Sequence, residues 1–321
     1  MRTAWAIGFV AVAALSFLFP TFMVFRFAQA TIWAIALLGL VLLCGINGQF
    51  SFAQAALYGM GGYTAAIVGG EGNPVGAYAA LAVAPLVGFA AGYGLGRVAS
   101  GHSIWTQALV TYALAIAFPQ LLRWRLIEKW TGGVQGLYID PPPPPFAIVG
   151  QDRWSFLIAL ALLAAGLLIA HNIVKGRSGR ALMAARDDEL AAVAQGIDVL
   201  HVRSVASGLA GGYLALAGCL VGYQYGFVGP TAYNFALSVQ MLFGLVVGGM
   251  NTPLGALLGG VFLEFFPDIV APLGKGLSAL LYAVLLIAAI VAMPTGIAGA
   301  FKHLLDRERA RGSGSGRLSN P

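Results

Sequence analysis

The residues of this chain able to do chemistry inside an apolar environment are few, and they fall into three groups. Two carboxylates, Glu264 and Asp268, stand four apart in the apolar stretch 254–272, with Pro267 between them. A helix there puts both on one face. Ionisable groups at that depth read as the polar lining of the outer mouth of a solute path, and the alternative is a span that ends early and leaves both among the headgroups. Four uncharged polar residues, Asn47, Gln49, Ser51 and Gln54, cluster beside Gly45, Gly48, Gly59, Gly61 and Gly62. Buried amides have to be hydrogen-bonded, and irregular backbone survives in a membrane only where it is enclosed by protein or lines a cavity. Pathway lining and simple helix-contact glue fit this cluster equally. The third group is KGRSGRALMAARDDELAAVAQGIDVLH at 175–201, an internal segment dense in charge: Lys175, Arg177, Arg180 and Arg186 beside Asp187, Asp188, Glu189 and Asp198. Its chemistry is contact with a partner in water.

Several chemistries are excluded by what is missing. No G-x-x-x-x-G-K-[ST] loop occurs; Gly274-Lys275-Gly276 has neither the spacing nor the hydroxyl that holds Mg²⁺. H-E-x-x-H, H-x-x-E-H and G-x-S-x-G are absent too, and Gly101-His102-Ser103 has no evident acid partner. The chain therefore reads as a non-enzyme, without catalytic residues, metal site or cofactor of its own. Cys44 and Cys219 sit inside apolar runs with no metal-ligand spacing and leave the redox compartment undecided. The net charge of +6 does not indicate nucleic acid, because the basic residues mark the ends of apolar spans instead of forming a surface with interleaved aromatics.

The elements that must position these groups are membrane helices. With 59% hydrophobic and 9% charged residues and a mean hydropathy of +0.83, the chain lies far from soluble proteins. Spans of the length a bilayer asks for, roughly 17–25 residues, are legible at 4–25, 30–46, 50–70, 74–97, 103–122, 154–174, 202–224, 236–252, 254–272 and 277–299. The fold class is all-α, a polytopic membrane protein of about ten helices, of which 30–46, 50–70, 236–252 and 254–272 are short or broken by Gly, Asn and Pro. Most of the 18 Lys and Arg residues fall on the side of loop 175–201, which places that loop and both termini in the cytoplasm and 123–153 outside. The first span exceeds a signal-peptide core, so Ala28-Gln29-Ala30 reads as an uncleaved sequence. Gly88, Gly92 and Gly96, then Gly218 with Gly222, Gly244 with Gly248 and Gly255 with Gly259, recur four apart, a spacing that predicts close helix packing within one bundle. Domain boundaries follow: a transmembrane domain over 1–305 and a charged, then Gly/Ser-rich, disordered tail over 306–321.

Within 175–201 two short helices are predicted. Ser178 caps the first, to Arg186 at its negative end; Asp187 caps the second, with Asp188 and Glu189 in its first turn and Gly196 ending it. Leu190, Val193 and Ile197 form an apolar face.

These residues resemble a known family. GRALMAARDDELAAVAQGID is similar to the cytoplasmic loop of the permeases of branched-chain amino-acid ABC importers, through Gly179, Arg180, Ala181, Arg186, Asp187, Asp188, Glu189, Ala191, Ala192, Gly196 and Ile197. GQFSFAQAALYGMGGYTAAI at 48–67, ALSVQMLFGLVVGGMNTPLGALLGGVFLEFFPDIV at 236–270, and Thr131-Gly132-Gly133 with Gly136-Leu137 resemble the same family, so the likeness covers roughly 48–295. It implies a fold like the type II importer permeases, in a bacterial inner membrane. It also implies a second, related permease as heterodimer partner, two cytoplasmic ATPases carrying ATP and Mg²⁺, and a periplasmic binding protein. Loop 175–201 is then the ATPase-coupling element, with Gly179, Arg180, Arg186, Asp187, Asp188, Glu189 and Gly196 as its site residues, while Asn47, Gln49, Ser51, Gln54 and Glu264 are candidates for the pathway. Gly101-His102-Ser103-Ile104-Trp105 and the five prolines at 141–145 depart from the family pattern. Urea, short amides and aromatic acids stand as alternative substrates, and a stand-alone secondary transporter or channel, or a purely structural membrane protein, as alternative classes.

Overall fold

The computed structural model describes residues 17–70, 72–99, 101, 104–145 and 150–270. The predicted span 277–299, most of 4–25 and the tail 306–321 lie outside the described residues. Nearly all regular structure among the described residues is helical, as it must be where each N–H and C=O has to find its partner within the chain.

The axis of the bundle is α1, Thr21–Leu40, continued by a π-helical turn, Val41–Ile46. Together they make 26 residues, about 39 Å at 1.5 Å per residue. The sequence places a connection at 26–29; the structure has none, because the charge of Arg26 is neutralised within the bundle and need not surface in a loop. From Ala28 onward nearly every residue is buried, which is the mark of a helix enclosed by others. Next come α2, Gln54–Thr64, ending in a second π turn, Ala65–Gly69, then α3, Pro74–Ala99, and α4, Ile104–Leu122. A one-turn α5, Glu128–Thr131, precedes β1, Leu137–Tyr138. Helix α6, Gln151–Lys175, leads into α7, Arg177–Asp187, and α8, Glu189–Ala194. The second central helix, α9, Val199–Tyr225, is followed by β2, Phe227–Val228, then α10, Phe235–Gly248, and α11, Pro253–Val270. Among the described residues, five helices are long and apolar enough to cross a membrane: α1 with its π turn, α3, α4, α6 and α9. At 14 residues, α10 spans about 21 Å and falls short of a bilayer core.

Backbone-to-backbone contact at glycine holds the helices together. A Cβ on Gly88 would strike the Gly211 carbonyl, on Gly92 that of Ser207, and on Gly218 that of Tyr58, so α9 lies directly against α3 and α2. Gly248 and Gly259 do the same between α10 and α11. The four-residue glycine spacing is therefore used inside this bundle. At the end remote from 175–201, β1 pairs antiparallel with β2, Leu137 opposite Val228. Thr131 Oγ1 donates to the Leu122 carbonyl at 2.7 Å, and Gly132 (φ +67°) closes α5 in a left-handed turn. Prolines offer carbonyls but no N–H, and the 141–145 run is held accordingly: Gln151 Nε2 donates to the Pro142 carbonyl at 3.0 Å and Tyr78 Oη to that of Pro143 at 2.7 Å.

Candidate functional site

The α1–α2 connection brings the polar cluster together. The chain turns at Gly48 (φ +72°), passes through residues 49–53 without helix and restarts at Gln54. Asn47, Gln49, Ser51 and Gln54 are all buried. Asn47 Nδ2 donates to Gln49 Oε1 at 2.6 Å, and Ser207 Oγ of α9 donates to the same oxygen at 3.4 Å. The free backbone donors of the break are met by hydroxyls: Phe52 N–H by Thr111 Oγ1 of α4 (3.0 Å), Ala53 N–H by Ser51 Oγ (3.2 Å) and Ala55 N–H by Ser238 Oγ of α10 (2.9 Å). Gln54 Nε2 donates to the Ser51 carbonyl. Asn47 Oδ1 and Gln54 Oε1 keep no partner among the described residues. The rings of Phe52 and Tyr112 close on Phe235 at 5.6 and 4.9 Å, joining break, α4 and α10. On its outward face α10 presents an open groove lined by Phe235, Ala236, Val239, Gln240 and Phe243.

Glu264 does not stand with that cluster. Helix α11 continues past it to Val270, and Glu264 Oε1 accepts from Arg26 Nε of α1 at 2.8 Å, while Arg26 Nη2 donates to the Glu264 carbonyl at 2.6 Å and Arg26 Nη1 to Asp268. The guanidinium lies 4.8 Å from the Phe265 ring centre. This is an ion pair binding α1 to α11.

Loop 175–201 forms the two predicted helices with different caps. Helix α7 starts at Arg177 behind Gly176, and Ser178 caps nothing, since it already lies inside the helix. Asp187 is the last residue of α7; the cap of α8 is Asp188, whose Oδ1 accepts from Ala191 N–H at 3.0 Å. The first cap moves two residues back, from Ser178 to Gly176, and the second one residue on, from Asp187 to Asp188. Gly196 (φ +80°) ends α8 as predicted, its N–H on Val193 and that of Ile197 on Ala192, at 2.9 and 3.1 Å, the Schellman arrangement. Ala185, Ala192 and Val199 form a small apolar core that fixes the pair onto α9. Gly179 is buried against the carbonyls of Ile173 and Val174, where no side chain fits. Arg180, Asp187 and Asp188 are exposed, and Arg180 reaches back to the Lys175 carbonyl at 3.4 Å. Glu189 pairs with Arg203 of α9 at 3.0 Å, and Arg186 donates to the Gly45 carbonyl of α1. Leu190 and Val193 point outward, 83% and 56% exposed.

Arg26, Thr111, Arg203, Ser207 and Ser238 are structural members of these sites that the sequence reading does not single out. Ser238 and Ala55 are 183 residues apart, and Arg26 and Glu264 are 238, so no local pattern joins them. No shared local signal marks them either: Arg26 has apolar neighbours on both sides, but Arg203 lies beside Ser204, and Ser207 and Ser238 each have another polar residue within three positions.

The described residues thus form a polytopic helical bundle with a broken connection between α1 and α2 and a charged two-helix loop. The chain matches the family described as branched-chain amino acid transport system / permease component over residues 22–300, and it belongs to that family. It is 26% identical over 292 residues to the high-affinity branched-chain amino acid transport system permease protein LivM of Salmonella typhimurium, covering 83% of this chain and 67% of that one. The corresponding permease protein BraD of Pseudomonas aeruginosa is 26% identical over 299 residues, 83% and 91% of the two chains. LivH of Escherichia coli is 25% identical over 294 residues, again 83% and 91%. No solved structure matches the chain.

Proposed function

We propose that this chain is the membrane-spanning permease subunit of an ATP-driven importer for branched-chain or related amino acids. It works beside a second, related permease in a bacterial inner membrane, with both termini and loop 175–201 in the cytoplasm. ATP and Mg²⁺ belong to two separate ATPase subunits, since the chain has no phosphate loop, and a periplasmic binding protein delivers the substrate to the side of 123–153. The observation that carries the reading is the pair α7–α8: α8 is capped at both ends and the pair is anchored to α9 through a small apolar core, and yet Leu190 and Val193 stand exposed. Exposed apolar residues on an otherwise polar, rigid element mark a docking surface. Arg180, Asp187 and Asp188 surround that surface, and the substrate class is supported by relatives described as branched-chain amino acid transport permeases.

The test is the assembled importer in proteoliposomes, carrying Leu190→Glu with Val193→Glu. The ATPases should no longer co-purify with the permease pair, and stimulation of hydrolysis by leucine-loaded binding protein should fall at least tenfold. Full recruitment by the double variant, or a wild-type assembly that responds to no branched-chain amino acid, defeats the reading.

A further inference from the structure

The end of α1 is held by a residue of the charged loop. In the π turn the Leu42 and Leu43 carbonyls accept from Asn47 and Gln49 N–H at 3.2 and 3.1 Å, and the Gly45 carbonyl, at the negative end of the helix, accepts from Arg186 Nη1. A cation there opposes the helix dipole as well as filling an acceptor. The Arg186 stem lies over Gly48, where a Cβ would come within 2.9 Å of its Cγ. On the opposite side, the Gly45 backbone is pressed against the Met250 carbonyl in the α10–α11 turn, leaving no room for a side chain. The break is thus wedged between α7 and the α10–α11 turn, and the Asn47–Gln49–Ser207 network begins two residues beyond.

The geometry points to Arg186 as a positioning residue that ties α7 to the α1–α2 break, so that displacement of the α7–α8 pair displaces residues 45–49 with it. This rests on the proposed coupling of loop 175–201 to an ATPase, and it gives Arg186 a role apart from Leu190 and Val193: Arg186, though exposed along part of its length, reaches the break and transmits, whereas they face outward and dock. Arg180 and Glu189, bonded to Lys175 and Arg203, do not reach the break.

The test uses the complete importer in proteoliposomes and two substitutions, Arg186→Met, which keeps the stem over Gly48 and removes the donor, and Arg186→Lys, which restores a donor. Each is combined with Asn47→Cys, and the rate of labelling by a small maleimide is measured without nucleotide and with ATP trapped by vanadate. Native Cys44, which lies in the π turn beside the probe position, and Cys219 are both replaced by Ser in every variant, so that labelling reports position 47 alone. Arg186→Met should keep the ATPases bound while the nucleotide-dependent change in labelling at position 47 drops at least fivefold, and Arg186→Lys should recover half or more of it. A full labelling response in Arg186→Met overturns the proposal, as does loss of the ATPases from that variant, which would make Arg186 a docking residue. A wild-type permease that recruits no ATPase defeats instead the functional reading on which the proposal stands.

Discussion

Arg26 Nε of α1 stands 2.8 Å from Glu264 Oε1 of α11, both side chains nearly buried at 13% and 15% exposure. Removing one member of such a pair strands the other charge, whereas removing both leaves an apolar contact. Arg26→Met is therefore expected to cost about 3 kcal/mol, the low end for buried pairs because Asp268 stays more than half exposed. Adding Glu264→Met should return more than half of that loss. Thermal unfolding of the purified protein checks it, and additive losses in the double variant would show that the two charges act independently.

Two hydroxyls complete the backbone of the break, and both are predicted to matter beyond their size. Ser238→Ala leaves the buried Ala55 N–H unpaired, costing about 1–3 kcal/mol, and Thr111→Val leaves the half-buried Phe52 N–H unpaired, costing about 1 kcal/mol. Ser178→Ala, on an exposed hydroxyl that caps no helix, should change stability by less than about 0.5 kcal/mol. Equal effects at Ser178 and Ser238 in thermal unfolding contradict the assignment.

Helix existence was legible because lipid leaves an apolar run few alternatives, and the break at the start of 50–70 followed from the glycines and amides around Asn47, whereas 30–46, expected to be short or broken, is the continuous end of a 26-residue span. What escaped was pairing across sequence distance. Arg26 reads as a span end only while Glu264 is out of view, and once the two meet, the helix runs straight through 26–29. The caps at 178 and 187 missed by one or two residues because Ser, Asp187 and Asp188 offer equivalent side-chain acceptors, and only the backbone at Gly176 and Asp188, extended in both cases, selects among them. Gly196 was readable from sequence since a left-handed φ leaves little choice of residue.

The cap assignment makes a local prediction of its own. Asp188→Ala removes the acceptor for Ala191 N–H and should destabilise α8 by about 1 kcal/mol, seen as roughly fivefold faster amide exchange over 189–194. Asp187→Ala, at the exposed end of α7, should leave exchange there within about twofold. The reverse order would return the cap to Asp187.

Gly92 and Gly94 are neighbours on α3 with opposite surroundings. A Cβ on Gly92 would drive into the Ser207 carbonyl of α9, while one on Gly94 meets nothing within 4 Å. Gly92→Ala therefore forces α3 and α9 apart and is expected to lower stability by about 1–3 kcal/mol. Gly94→Ala adds a methyl to an exposed helix face and removes backbone freedom from the unfolded chain, which should raise stability by up to about 1 kcal/mol. The two substitutions are chemically identical and two residues apart, so a thermal midpoint that moves in the same direction for both would mean that α3 does not lie on α9 along the Gly88–Gly96 face. Opposite shifts fix that face as the one on which the two helices touch.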